Sequence, residues 1–134
     1  MRLGIVASRF NEKISGELLQ RARKEAEKAG AQVSVASVPG ALEIPLALQW
    51  MAQSGRFDAL VAVGCVIRGE TYHFEIVANE SARGVTDVAL EYGLPVGNGI
   101  LTTQDEAQAA ARLDKGAEAV RAALEMAKLK AQLA

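Results

Sequence analysis

Along the chain, short apolar runs alternate with longer stretches whose apolar residues recur every three or four positions. Leu3 to Ser8 predicts a buried strand. Asn11 to Ala29 has helical spacing and stops at Gly30, a residue suited to the position after a helix. Val33 to Val38 predicts a second strand, broken by Pro39-Gly40. A helix follows from about Ala41 to Ser54; Pro45 is tolerated there because first-turn N–H groups have no partner inside a helix. Ala59 to Ile67 is the strongest strand, almost wholly apolar, so both of its faces should be covered. Phe74 to Tyr92 predicts a helix closed by Gly93, and Pro95 to Thr102 a fourth strand interrupted by Gly97 and Gly99. Gln104 to Arg112 and Ala117 to Leu129 read as closing helices. On the last, Ala117, Val120, Leu124 and Ala127 share one stripe.

Buried strands alternating with helices predict an α/β fold: a single three-layer domain, residues 1–134, with a four-stranded parallel sheet and helices on both faces. Right-handed crossovers put the strand C-terminal ends on one edge, where ligands of such folds bind. The segments expected at that edge are Ser8 to Asn11, Pro39 to Glu43, Ile67 to His73 and Gly97 to Thr103. They are also the segments richest in glycine and polar groups.

Composition narrows the function. A chain of 134 residues can bury roughly two-thirds of its unfolded surface without help from disulfides. Half of its residues are apolar and the mean hydropathy is +0.10. That predicts apolar surface buried between subunits. Fifteen basic against sixteen acidic residues leave a charge of −1, so there is no basic field for nucleic acid. Cys65 is the only cysteine, which excludes an internal disulfide and fits a reducing compartment. No apolar stretch is long enough to span a membrane. Met1-Arg2-Leu3-Gly4 lacks the regions of a signal peptide, so a cytoplasmic location is expected.

The candidate chemistry lies in the edge segments. Gly64-Cys65-Val66-Ile67-Arg68-Gly69-Glu70-Thr71 has the spacing of a P-loop, but Glu70 stands where the phosphate-neutralising lysine belongs. A carboxylate there repels nucleotide phosphates, which excludes an NTPase. A single phosphate could still sit on the N–H groups of Gly69, Glu70 and Thr71 ahead of a helix; an ordinary turn capped by Thr71 is the alternative. His73 is the only histidine. Lone histidines are usually structural, yet this one follows the strongest strand among polar neighbours, and an imidazole is suited to moving protons. One His and one Cys argue against a transition-metal site. Glu43 either complements a helix dipole or accepts hydrogen bonds from ligand hydroxyls, with small Gly40 and Ala41 allowing close approach. Phe10 is either core or a platform for a flat ring. Apolar flanks make inert packing the commoner role for a cysteine such as Cys65. Arg112 and Lys115 are either solvated charges or anion contacts.

Taken together these motifs resemble the lumazine synthase family. They are Arg9-Phe10-Asn11, Val38-Pro39-Gly40-Ala41-Leu42-Glu43-Ile44-Pro45, the run from Gly64 to Glu75, and Asn98-Gly99-Ile100-Leu101-Thr102-Thr103 with Gln108 and Arg112. Each is weak alone; four in order, with family-like spacing over almost the whole chain, are specific. The resemblance implies a flavodoxin-like fold and a condensation without organic cofactor or catalytic metal. In it, 5-amino-6-(D-ribitylamino)uracil and 3,4-dihydroxy-2-butanone 4-phosphate give 6,7-dimethyl-8-ribityllumazine in riboflavin biosynthesis. It further implies that Phe10 stacks on the pyrimidine. Ala41, Leu42 and Glu43, with Cys65, Val66 and Ile67, would hold the uracil and ribityl chain. Glu70 and Thr71 would cradle the phosphate, and His73 would shuttle protons. Asn98, Arg112 and Lys115 would reach in from a neighbouring subunit of a homo-oligomer, a pentamer being expected, with riboflavin synthase as a further candidate partner. Two departures stand out: the first strand begins at once, and the stretch between Arg112 and Lys115 is short for the family. The competing readings are an archaeal-type riboflavin synthase, or a non-catalytic flavin-binding or shell protein on the same fold.

Overall fold

The computed structural model describes all 134 residues. Four strands, β1 (Arg2–Ser8), β2 (Gln32–Val38), β3 (Ala59–Ile67) and β4 (Val96–Thr103), form one parallel sheet in the order β2-β1-β3-β4. Helices α1 (Glu12–Lys28) and α5 (Lys115–Leu133) cover one face; α2 (Ile44–Ser54) and α3 (His73–Tyr92) cover the other. A single 3₁₀ turn, Ala41–Glu43, precedes α2, and a short α4 (Glu106–Ala110) precedes α5. The α/β reading therefore holds, with four parallel strands between two helical layers. No helix is long and apolar enough to cross a membrane.

The elements follow from their residues. β3 is central, and its residues from Ala59 to Val66 are buried, as its unbroken apolar run requires. Val61, Val63 and Cys65 pack with α1 and α5, while Leu60, Ala62 and Val66 pack with α2 and α3, so strand alternation feeds two separate cores. On α1, Ile14, Leu18, Ala22 and Ala26 recur every four residues and are all buried. The stripe Ala117, Val120, Leu124 and Ala127 of α5 is likewise buried. Small residues let α1, α5 and β4 lie close together. A side chain at Gly116 would collide with the Leu18 carbonyl, and one at Gly97 with the Ala119 carbonyl. Arg121 of α5 ties the layer further, pairing Glu25 of α1 at 2.9 Å and Asp114 at 3.3 Å.

Two predicted helices change length. The first closing helix shrinks from Gln104–Arg112 to Glu106–Ala110. Asp105 accepts a hydrogen bond from the Gln108 N–H at 2.8 Å and so caps the helix one residue before its start. The second starts earlier than predicted, at Lys115. The helix expected from Ala41 divides into the 3₁₀ turn and α2, and Pro45 falls in the first turn of α2. β4 begins one residue late and ends at Thr103, so Asn98 is only its third residue. It lies about 16 Å back from the strand's C-terminal end at 3.3 Å per residue.

Candidate active site

The chain leaves β1 to reach β2 on one side, then returns across β1 to β3 on the other. Connections that diverge in this way open a crevice beyond the C-terminal ends of β1 and β3. A cleft of about 510 Å³ lies there, lined by Phe10, residues 40–43, residues 65–67, Gly69, Thr71, His73, Phe74 and Val77. Three consecutive βα connections thus meet at one site. Its walls are largely apolar, and no lysine or arginine is among its lining residues.

Phe10 stands at the rim. Its backbone is fixed because the ladder between β1 and β2 continues past both strands: Arg9 N–H donates to Val38 O at 2.9 Å and Phe10 N–H to Pro39 O at 3.1 Å. Its side chain is 70% exposed. That excludes a core role within the chain and leaves the ring lining the cleft from a fixed backbone. Next to it, Asn11 adopts a left-handed backbone, φ 57°, which Asn tolerates better than most residues. Its amide donates to the Cys65 carbonyl at 2.9 Å, tying the end of β1 to the end of β3. Across the cleft, the Glu43 carboxylate accepts the Gly40 N–H at 2.8 Å and closes the 3₁₀ turn on itself. Glu43 therefore has a structural task and also faces the cleft. Cys65 is buried, and burial pushes its thiol up to about 11 from an ordinary value of 9.0, with the nearby Glu106 charge adding to the effect. The thiol is neutral at physiological pH and contributes surface rather than nucleophilicity.

The turn after β3 presents its backbone to this space. Arg68 N–H donates to Thr103 O at 2.9 Å, but the N–H groups of Gly69, Glu70, Thr71 and Tyr72 have no acceptor within the chain. They precede α3, a helix of 20 residues. Free N–H groups and the positive end of a helix dipole together favour an anion. Thr71 does not cap α3 by its side chain in the ordinary way; its hydroxyl accepts only a long bond, 3.4 Å, from the His73 N–H. His73 is the first residue of α3, exposed, and among the cleft-lining residues.

The other expected residues lie apart. Arg112 and Lys115 line a second cavity of about 510 Å³ with Thr102, Thr103, Asp114 and Glu118, and it shares no residue with the first. Arg112 donates to Gln108 O at 2.8 Å, which folds it along α4. Asn98 is exposed on the edge strand β4 and accepts the Ile100 N–H at 2.9 Å.

This arrangement can be set against known proteins. The family model described as 6,7-dimethyl-8-ribityllumazine synthase matches residues 1–131. The chain belongs to the lumazine synthase family. Among relatives bearing that name, the protein of Azoarcus sp. (strain BH72) is 54% identical over 133 residues, 96% of this chain and 85% of its own length. That of Cupriavidus pinatubonensis is 56% identical over 96% of this chain and 80% of its own. That of Burkholderia multivorans is 55% identical over 96% and 77%.

For a lumazine synthase family chain, the structure gathers Phe10, Ala41, Leu42, Glu43, Cys65, Val66, Ile67, Thr71 and His73 into one cleft, with Glu70 in the same turn. It leaves Asn98, Arg112 and Lys115 outside it. Three contributors to the cleft were not singled out from sequence. Phe74 and Val77 line it from α3, one turn apart at helical spacing, which marks them as apolar wall. Asn11 binds the two strand ends together, and an Asn between a strand and a helix was the available signal for its left-handed turn.

Proposed function

We propose that the protein makes 6,7-dimethyl-8-ribityllumazine, as the names of its relatives describe, and that this cleft is the larger part of the active site. The observation that carries the proposal is the cleft itself. An aromatic ring, a turn with unpaired N–H groups and the only histidine of the chain meet at one space lined by no lysine or arginine.

The residues then divide the chemistry. The Phe10 ring covers one face of the pyrimidine of 5-amino-6-(D-ribitylamino)uracil. The backbone of residues 41–43 and 65–67 and the Glu43 carboxylate hold the uracil edge and the ribityl hydroxyls. The free N–H groups of Gly69, Glu70 and Thr71 hold the phosphate of 3,4-dihydroxy-2-butanone 4-phosphate. The amine attacks the ketone carbon and water leaves as the imine forms. Phosphate departs with its bonding electrons after a carbon-bound proton is lost, and the ribityl nitrogen closes the ring with loss of a second water. His73, beside the phosphate turn, takes and returns the protons. Positioning two reactants against each other supplies much of the acceleration, since the amine is already nucleophilic.

The cation missing from the cleft comes from a second copy. Arg112 and Lys115 of a neighbour would approach the phosphate, and Asn98 of its edge strand the pyrimidine. Contacts of this head-to-tail kind close into a ring, for which a pentamer is proposed. The exposed apolar side chains Leu46, Trp50 and Ile76 on α2 and α3 supply surface for such contacts. The enzyme is placed in the cytoplasm, with which the lone Cys65 is consistent. The test is to mix purified protein with both substrates. Lumazine and inorganic phosphate should appear in equal amounts, and neither should form when the sugar phosphate is left out. Conversion of lumazine, supplied by itself to the protein, into riboflavin would instead mean a riboflavin synthase.

A further inference from the structure

Arg68 is the one arginine or lysine adjoining the phosphate turn in sequence, yet it does not line the cleft. Its guanidinium lies over the Phe74 ring, 4.8 Å from the centroid, and its Nη1 meets Glu75 Oε1 at 2.7 Å. Both partners belong to the first turn of α3, whose first residue is His73. The Glu75 side chain is 28% exposed, so its charge is only partly screened by water. Glu70 adds a second carboxylate to the same turn. Two carboxylates thus lie within a few residues of the turn that would hold a substrate phosphate, and Arg68 pairs with one of them.

We propose that Arg68 is a positioning residue for the sugar phosphate. Clamped between an aromatic face and a carboxylate, it neutralises Glu75 beside the anion-binding turn and pins the turn that carries Phe74 and His73. A planar, delocalised cation suits this place because it stacks and pairs at once; lysine can pair but not stack as well. The role is indirect, since Arg68 reaches the substrate only through Phe74, Glu75 and the backbone that it holds. The inference rests on the reading of residues 69–71 as the phosphate site.

The test uses four variants of the assembled enzyme: Arg68→Gln, Arg68→Lys, Glu75→Gln and the double Arg68→Gln/Glu75→Gln. KM for each substrate and inhibition by inorganic phosphate are measured, with Tm and oligomer size as controls. Arg68→Gln should raise KM for the sugar phosphate about tenfold, the scale of one uncompensated charge near a binding site. KM for the pyrimidine should stay within about twofold, because the charge acts on the phosphate alone. Glu75→Gln should bind sugar phosphate as well as wild type or better. The double variant should recover most of the loss although Arg68 is still missing, and Arg68→Lys should fall between wild type and Arg68→Gln. Equal rises in both KM values, or a double variant no better than Arg68→Gln, would overturn the inference and leave Arg68 a stabilising residue. An Arg68→Gln variant that does not fold shifts the decision to Arg68→Lys and Glu75→Gln. Unchanged phosphate inhibition in both would overturn it. Wild-type enzyme that phosphate fails to inhibit would overturn the phosphate-site reading, and this inference with it.

Discussion

Removing the Phe10 ring should separate binding from stability. The side chain is 70% exposed, so the fold has little to lose. A phenylalanine side chain has about 200 Å² of surface to bury, of which roughly 140 Å² is therefore open before substrate arrives. A flat pyrimidine covers one face, about half of that. At about 25 cal/mol per Å² this contributes about 1.8 kcal/mol, and stacking geometry adds about 0.5 kcal/mol or more. Phe10→Ala should then raise KM for the pyrimidine about thirtyfold or more, using the tenfold-per-1.4 kcal/mol conversion. The mounting of residue 10 is made by backbone bonds to β2, which the substitution keeps. Tm should therefore move by less than about 2 °C and KM for the sugar phosphate should hardly change. Phe10→Tyr, which retains the ring, should restore most of the affinity. The assay is initial-rate kinetics of lumazine formation with each substrate varied in turn, beside a thermal melt. A pyrimidine KM unchanged in Phe10→Ala would refute the stacking role. A large fall in Tm would refute the claim that the ring is not part of the core.

Other outcomes follow from the same geometry. His73→Ala should keep the fold and slow turnover by about a hundredfold or less, toward the low end for general acid–base groups; an unchanged pH profile of kcat on losing the imidazole would remove His73 from the mechanism. Inorganic phosphate should compete with the sugar phosphate, and Arg112→Ala should weaken that competition about tenfold, as expected for losing a charge-assisted contact. Equal inhibition of both proteins would make Arg112 ordinary surface charge. Cys65 should resist alkylation in the folded enzyme, because its thiol titrates at about 11 rather than 9.0. The sign of its effect on stability follows: the unfolded thiol ionises first, so wild type should lose stability relative to Cys65→Ala as pH rises from about 9 to about 11. Parallel stability curves for the two proteins across that window would contradict the burial of the thiol.

The sheet was the most legible part of the chain. β3 is found with the predicted bounds, Ala59 to Ile67, because a run of apolar residues covered on both faces has sharp ends. The helix ends were less legible where a local polar contact decided them. Asp105 starts α4 late by capping it, and Glu43 turns back onto Gly40 to make a separate 3₁₀ turn. The cleft was legible as a set of segments, since the switch in strand order brings together the loops that leave β1, β2 and β3. The choice between core and platform for Phe10 was not, because a phenylalanine after a strand fits either; only its exposure decides. The Arg68 clamp was hidden for a similar reason. A charge in a polar turn looks solvated until its partners in the next helix are seen. Periodicity did not separate Arg112 and Lys115 from His73, but the family resemblance did, since it assigns them to a neighbouring subunit, and they line a different cavity in this chain.

That separation leads to the central claim, that one chain holds only part of a site. His73 lines one cavity and Arg112 another; in the proposed ring, His73 of one subunit and Arg112 of the next complete each site. The direct measurement is subunit complementation. His73→Ala and Arg112→Ala proteins, each expected to keep about a tenth of the wild-type rate or less at limiting sugar phosphate, are unfolded, mixed equally and refolded together. With random assortment around a closed ring, about one site in four receives both intact residues. Lumazine formation should recover toward a quarter of the wild-type rate. A mixture no more active than its two parents, in rings shown to contain both variants, would contradict the claim and place both residues within a single subunit's site.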